Sequence, residues 1–211
     1  MGILEQGIFG AVKNKVGNLV GSSWKGIAVI KTKPVSVANP RTVGQINQRT
    51  KFSVIVKLAS AILSTIIKPL WDRFAIRESG YNSFVSTNID CVSAAGVIDP
   101  SLIVTSRGKM AEDTTLVVYS YSSAGLASIE WTAAPTDPFA LPSDLLYIAV
   151  YDVNEQLMYG YATGVQRQAE GVAFTAKPLP VGSPVFLYLS WKRADGTIVS
   201  DSTTRFLNVT L

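Results

Sequence analysis

Histidine is absent from this 211-residue chain, and cysteine occurs once, at Cys91. The first absence removes Ser-His triads, Cys-His dyads, histidine-ligated zinc and the imidazole general base. The second excludes an internal disulfide and a cysteine-rich metal cluster. Charge is scarce as well. Asp, Glu, Lys and Arg make up 16% of the chain, against roughly a quarter in an ordinary soluble domain. With 47% apolar residues the chain can fill a core, and its low charge fits a subunit that packs against neighbours. A long apolar run is also missing. The longest, Val54 to Ile67, is interrupted by Lys57, Ser60, Ser64 and Thr65 and is too short and too polar to span a bilayer. The opening Met1-Gly2-Ile3-Leu4-Glu5-Gln6 lacks the basic and apolar regions of a signal peptide, and Gln6 breaks the myristoylation pattern. The expectation is cytoplasmic synthesis, no membrane insertion, and no cofactor or metal.

What charge there is lies unevenly. Residues 1–110 hold 14 Lys and Arg against 5 Asp and Glu, a net of +9; residues 111–211 hold 5 against 10, a net of −5. Lys25, Lys31, Lys33, Arg41 and Arg49 belong to the basic excess. Such polarity suits contact with nucleic acid or head-to-tail attraction between copies, and it also suits a merely solvated basic face.

Along the chain, residues 1–38 read as glycine-punctuated β-structure, with strands over Asn18–Trp24 and Gly26–Lys33 closed by Pro34. Asn39-Pro40-Arg41-Thr42 is a helix-start signal, with either Asn39 or Thr42 as the cap. Ile55, Leu58, Ala59, Ile62 and Ile66 then share one helical face, and Pro69 interrupts it. Tyr81, Phe84, Val85, Ile89 and Val92 repeat at helical spacing again. From about residue 100 the period changes. Strands are predicted over Leu102–Ser106, Thr115–Ser120, Ala127–Thr132, Leu145–Asn154, Gln156–Gly164, Gly171–Ala176, Pro184–Lys192 and Arg205–Leu211. Turns are predicted at Val153–Gln156 and Ala194–Thr197. The fold class is α+β: a glycine-rich hairpin and helices over residues 1–100, then an all-β immunoglobulin- or fibronectin-like sandwich over 101–211, with Trp131 and Trp191 in its core.

Little in the sequence carries chemistry. Gly21-Ser22-Ser23-Trp24-Lys25-Gly26 has the wrong order for a phosphate loop. Asp137, Asp144, Asp152 and Glu155 cluster near turns, where carboxylates usually form turns, although a pair could serve glycoside hydrolysis. Tyr159 and Tyr161 share a strand face, as do Tyr147 and Tyr151; tyrosine strips bind sugars or bases, and more often pack with a bonded hydroxyl.

The glycine-spaced opening, Gly21-Ser22-Ser23-Trp24-Lys25-Gly26, Asn39-Pro40-Arg41-Thr42-Val43-Gly44-Gln45 with Arg49 and Phe52, and Tyr81-Asn82-Ser83-Phe84-Val85 with Asn88 together resemble an uncharacterised family common in Bacteroidota genomes and their phages. The resemblance covers residues 1–90 well and the remainder loosely. It implies a bacterial or phage protein and carries no activity or site residue. The resulting expectation is a non-enzymatic assembly subunit, of a phage virion or related particle, that contacts copies of itself or other particle proteins through its N-terminal hairpin. Trp24, Lys25, Lys31, Lys33, Arg41, Arg49, Tyr159 and Tyr161 are the contact candidates. Nucleic-acid association through the basic half and glycan binding by the β-domain are the alternatives.

Overall fold

A computed structural model describes residues 2–3, 14–24, 27–36, 39–111, 116–132 and 137–211. The fold is mixed α+β, and the chain forms two compact units, Met1–Thr42 and Val43–Leu211.

The first unit is a four-stranded antiparallel sheet of β1 (Gly2–Ile3), β2 (Asn14–Val16), β3 (Leu19–Trp24) and β4 (Ile27–Thr32), in the order β1-β4-β3-β2. The expected hairpin is its centre, β3 and β4, paired from Leu19↔Thr32 to Trp24↔Ile27. Gly17 turns the chain between β2 and β3 at φ +58°, a conformation that suits glycine. Among the described side chains of this unit only Val29 is buried.

The second unit opens with α1 (Val43–Ala61), so that Thr42, one of the two starts the sequence offered, immediately precedes the helix. The apolar stripe behaves as its spacing predicts: Ile55, Leu58, Ala59, Ile62 and Ile66 are all buried. The helix does not run straight into Pro69. A π-helical turn over Leu63–Ile67 intervenes, in which the amides of both Ile66 and Ile67 donate to the Ile62 carbonyl. Proline has no N–H and crowds the carbonyl four residues earlier, so a widened turn upstream accommodates it. α2 (Lys68–Trp71) follows, and the two helical arms are bent by 69°. Among the described residues no single helix is long and apolar enough to cross a membrane. α3 (Gly80–Asn88) is capped by Ser79, whose hydroxyl accepts the Asn82 amide at 3.2 Å.

The strands form two antiparallel sheets. One holds β7 (Leu145–Asp152), β8 (Leu157–Gln166), β10 (Pro184–Lys192) and β11 (Thr203–Asn208), in the order β11-β10-β7-β8. The other holds β5 (Leu116–Tyr121), β6 (Leu126–Trp131) and β9 (Gly171–Thr175), in the order β5-β6-β9. The four-stranded sheet is covered on both faces. Leu146, Ile148 and Val150 of β7 join Ile129, Trp131, Leu187 and Trp191 between the sheets, with the two indoles edge to face at 5.2 Å. The alternate residues Ala149 and Tyr151, with Tyr188 of β10, join Ile55, Ile62, Ile66 and Phe84 on the helical side. That double burial makes β7 apolar almost throughout, where a strand with one wet face would alternate.

Two expectations need amendment. Leu102–Ser106 is not a strand. Pro100–Leu102 is a 3-10 turn capped by Asp99, which accepts the Ser101 amide at 3.0 Å. The following loop is held by side chains: Asn88 accepts from the Val104 amide at 2.7 Å and donates to its carbonyl at 3.0 Å, and the Trp71 indole donates to Thr105 O at 2.8 Å. With those groups satisfied by side chains, apolar content alone did not make this segment pair as a strand. Helices do precede and strands do follow residue 100, but that point is not where compactness divides the chain, because the helices pack directly on β7 and β10.

Candidate functional site

Pairing in the first unit decides which side chains meet. In an antiparallel ladder, residues directly opposite one another project to the same face. Lys15 of β2 lies opposite Val20 of β3, and Val20 opposite Lys31 of β4. Two cations therefore sit in one row, with a valine between them. Lys33 follows two residues after Lys31, and its amide still donates to Asn18 O at 2.7 Å, which extends the ladder. Lys15, Lys31 and Lys33 are exposed, and none forms an ion pair among the described residues. The opposite face of the same end carries Val16 and Leu19, paired directly and exposed by 60% and 42%.

Of the other N-terminal candidates, Lys25 and the side chain of Trp24 lie outside the described residues; the Trp24 backbone ends β3 opposite Ile27. Arg41 is exposed in the segment before α1. Arg49 lies on the outer face of α1, where it lines a hollow of about 520 Å³ with Gln48, Phe52, Ser53, Val56 and Lys57.

Tyr159 and Tyr161 do share a face of β8, and the tertiary structure adds a partner that the sequence did not suggest. The Lys177 ammonium contacts Glu155 and donates to the Tyr159 hydroxyl at 2.7 Å, and that hydroxyl donates to Glu155 at 3.1 Å. The Lys177 amide donates to the Tyr161 hydroxyl at 3.1 Å, and the Tyr121 hydroxyl donates to the Lys177 carbonyl. The bond from Lys177 holds the Glu155 carboxyl below its usual range, and Glu155 with Tyr159 holds the ammonium above its own. Tyr161 leans on Phe174 at 5.1 Å between the sheets. These hydroxyls are bonded within the chain, and Tyr161 packs against the core between the sheets.

The carboxylates are used in turns. Asp152 accepts the Asn154 amide at 2.9 Å, and Asp137 accepts those of Phe139 and Ala111 at 2.7 and 2.5 Å. Asp144 precedes β7 and Asp152 ends it, so the two stand at opposite ends of a strand roughly 25 Å long. A glycosidase pair needs about 5–10 Å. Asp144 is fully buried, accepts the Leu141 amide at 2.7 Å, and stands 3.8 Å from Arg167 Nε. Burial pushes its carboxyl up, while the Leu141 amide and Arg167 pull it down. The Arg167 guanidinium stacks 4.1 Å over Trp191, and the Trp131 indole donates to the Arg167 carbonyl at 2.6 Å. This hub joins the two sheets at one end, and local sequence gave no sign of it.

Residues 10–205 match a family described as a family of unknown function, DUF6266. The match runs through the β-rich half as well as the N-terminal one. No curated protein matches the chain.

Proposed function

We propose that this chain, which belongs to the DUF6266 family of unknown function, is a non-enzymatic assembly subunit whose first unit packs against a second copy. The carrying observation is the four-stranded sheet of residues 1–42, in which Val29 is the only buried side chain among those described. A small sheet gains stability from a packed apolar face. Here the Val16–Leu19 pair is open, and β2 is a three-residue edge. A second copy would cover the pair and remove that edge from water. The low charged fraction of the chain agrees with surface spent on such contacts. The reading includes a bacterial or phage particle as the setting.

The second unit is read as a fibronectin-like sandwich carrying an added helical layer. What supports this is the strand order. The first, second and fifth strands make one sheet, and the seventh, sixth, third and fourth make the other.

Light scattering on the full chain tests the assembly. The unsubstituted protein should form a defined oligomer at micromolar concentration. Val16→Ser with Leu19→Ser, both at exposed positions, should weaken association at least tenfold while the circular dichroism spectrum stays the same. A chain that remains monomeric at high micromolar concentration defeats the proposal, as does an oligomer indifferent to the double substitution.

A further inference from the structure

We propose that Lys15, Lys31 and Lys33 form a sequence-independent contact face for the phosphate backbone of nucleic acid. The face is distinct from the one assigned above to subunit packing, because side chains alternate across a strand: Lys15 and Val16 point to opposite sides of β2. The register places Lys15 and Lys31 two strands apart, about 10 Å, and Lys33 lies about 7 Å farther along from Lys31. No acidic residue occurs among the described residues of this unit to neutralise them. Three exposed ammonium groups on long flexible stems therefore sit on one side of a thin sheet.

The residue type narrows the partner. Recognition of a protein carboxylate favours the planar arginine fork, whereas lysine acts as a movable point charge that follows phosphates without fixed geometry. Val20 and Ser22, the neighbours of the lysines on β3, offer no fork for a base edge. Binding is then independent of sequence and governed by counterion release. The positive excess of residues 1–110, +9, supplies the long-range attraction.

The test is fluorescence anisotropy of the full chain with a labelled duplex and with a labelled single strand, titrated across salt concentrations. Three phosphate contacts give a slope of log K against log salt of about −2.7 for duplex and about −2.1 for single strand. Duplex affinity then falls roughly 40-fold from 50 to 200 mM salt. Each single Lys→Gln substitution should flatten the duplex slope by about 0.9. The triple substitution should abolish binding, and the single variants keep the result readable if the triple variant misfolds. Lys68→Gln with Arg77→Gln and Lys109→Gln, exposed cations of the second unit, removes the same charge elsewhere and should leave the slope unchanged. An equal loss in that control would show that net charge, not this face, binds, and would overturn the proposal. So would polyglutamate displacing the oligonucleotide at equal charge concentration, since the partner would then be an acidic protein surface. The Val16→Ser, Leu19→Ser variant should keep its slope, which separates failure of this face from failure of the assembly.

Discussion

Gly160 lies on β8 where the π-helical turn meets the sheet, and replacing it with alanine measures how tightly helix and sheet are joined. A Cβ at this position would lie 2.1 Å from Thr65 Oγ1, 2.8 Å from Ile66 Cγ1 and 3.0 Å from Thr65 Cβ. Normal contact is roughly 3.5–4.0 Å, so the turn would have to lift by about 1 Å. Ile66 is fully packed and the half-buried Thr65 meets Gly160 with its β-branched Cβ as well as its hydroxyl, so neither has an easy escape. Overpacking of this kind costs about 1–3 kcal/mol. The entropy that alanine removes from the unfolded chain returns at most about 1 kcal/mol. The expected net loss is about 1–2 kcal/mol, read as a fall of roughly 2–8 °C in Tm or an earlier urea midpoint at unchanged m. Thr65→Ala supplies the second corner of a double-mutant cycle. The Thr65 hydroxyl is buried without a hydrogen-bond partner among the described residues, so its removal alone should cost less than about 1 kcal/mol. In the Gly160→Ala background it should recover at least half of the loss. A Gly160→Ala protein within about 0.5 kcal/mol of the parent, or strict additivity with Thr65→Ala, would show that helix and sheet do not meet as tightly as described.

Two further perturbations address the buried polar groups. Arg167→Met should cost about 3–5 kcal/mol, because it strands Asp144 without its countercharge; adding Asp144→Asn keeps an acceptor for the Leu141 amide and should restore at least half, and urea titrations showing no restoration would contradict the pairing. Burial, with Asp99 adding to it, pushes the Cys91 thiol from 9.0 up to about 11. The folded chain then holds this proton more tightly than the unfolded one, so stability is unaffected below pH 9 and falls as pH rises from 9 towards 11, by up to about 1.4 kcal/mol per pH unit from this group. Cys91→Ala should show a shallower alkaline loss in the same window, and identical slopes in both proteins would remove the thiol from the account.

Local sequence determined the elements that depend on neighbours along the chain. The stripe Ile55, Leu58, Ala59, Ile62 and Ile66 follows helical spacing, and those residues are buried. Pro184–Lys192 forms a strand within its predicted bounds, and Asp195 and Gly196 make the turn after it, with Gly196 at φ +74°. Period, caps and turn residues act over a few positions, so they can be read without the fold. Other features required the chain to be folded. Leu102–Ser106 has strand-like composition, yet the side chains of Asn88, Trp71 and Ser202 hold its backbone from elsewhere in the chain. Lys31 and Lys33 share a parity that the sequence displays, but Lys15 joins them only because the turn at Gly17 fixes the register of β2 against β3. The meeting of Lys177 with Tyr159, and of Asp144 with Arg167, brings together residues about twenty positions apart. Strand pairing and sheet packing made those contacts, and both are set by the burial of whole faces, which no short window of sequence contains.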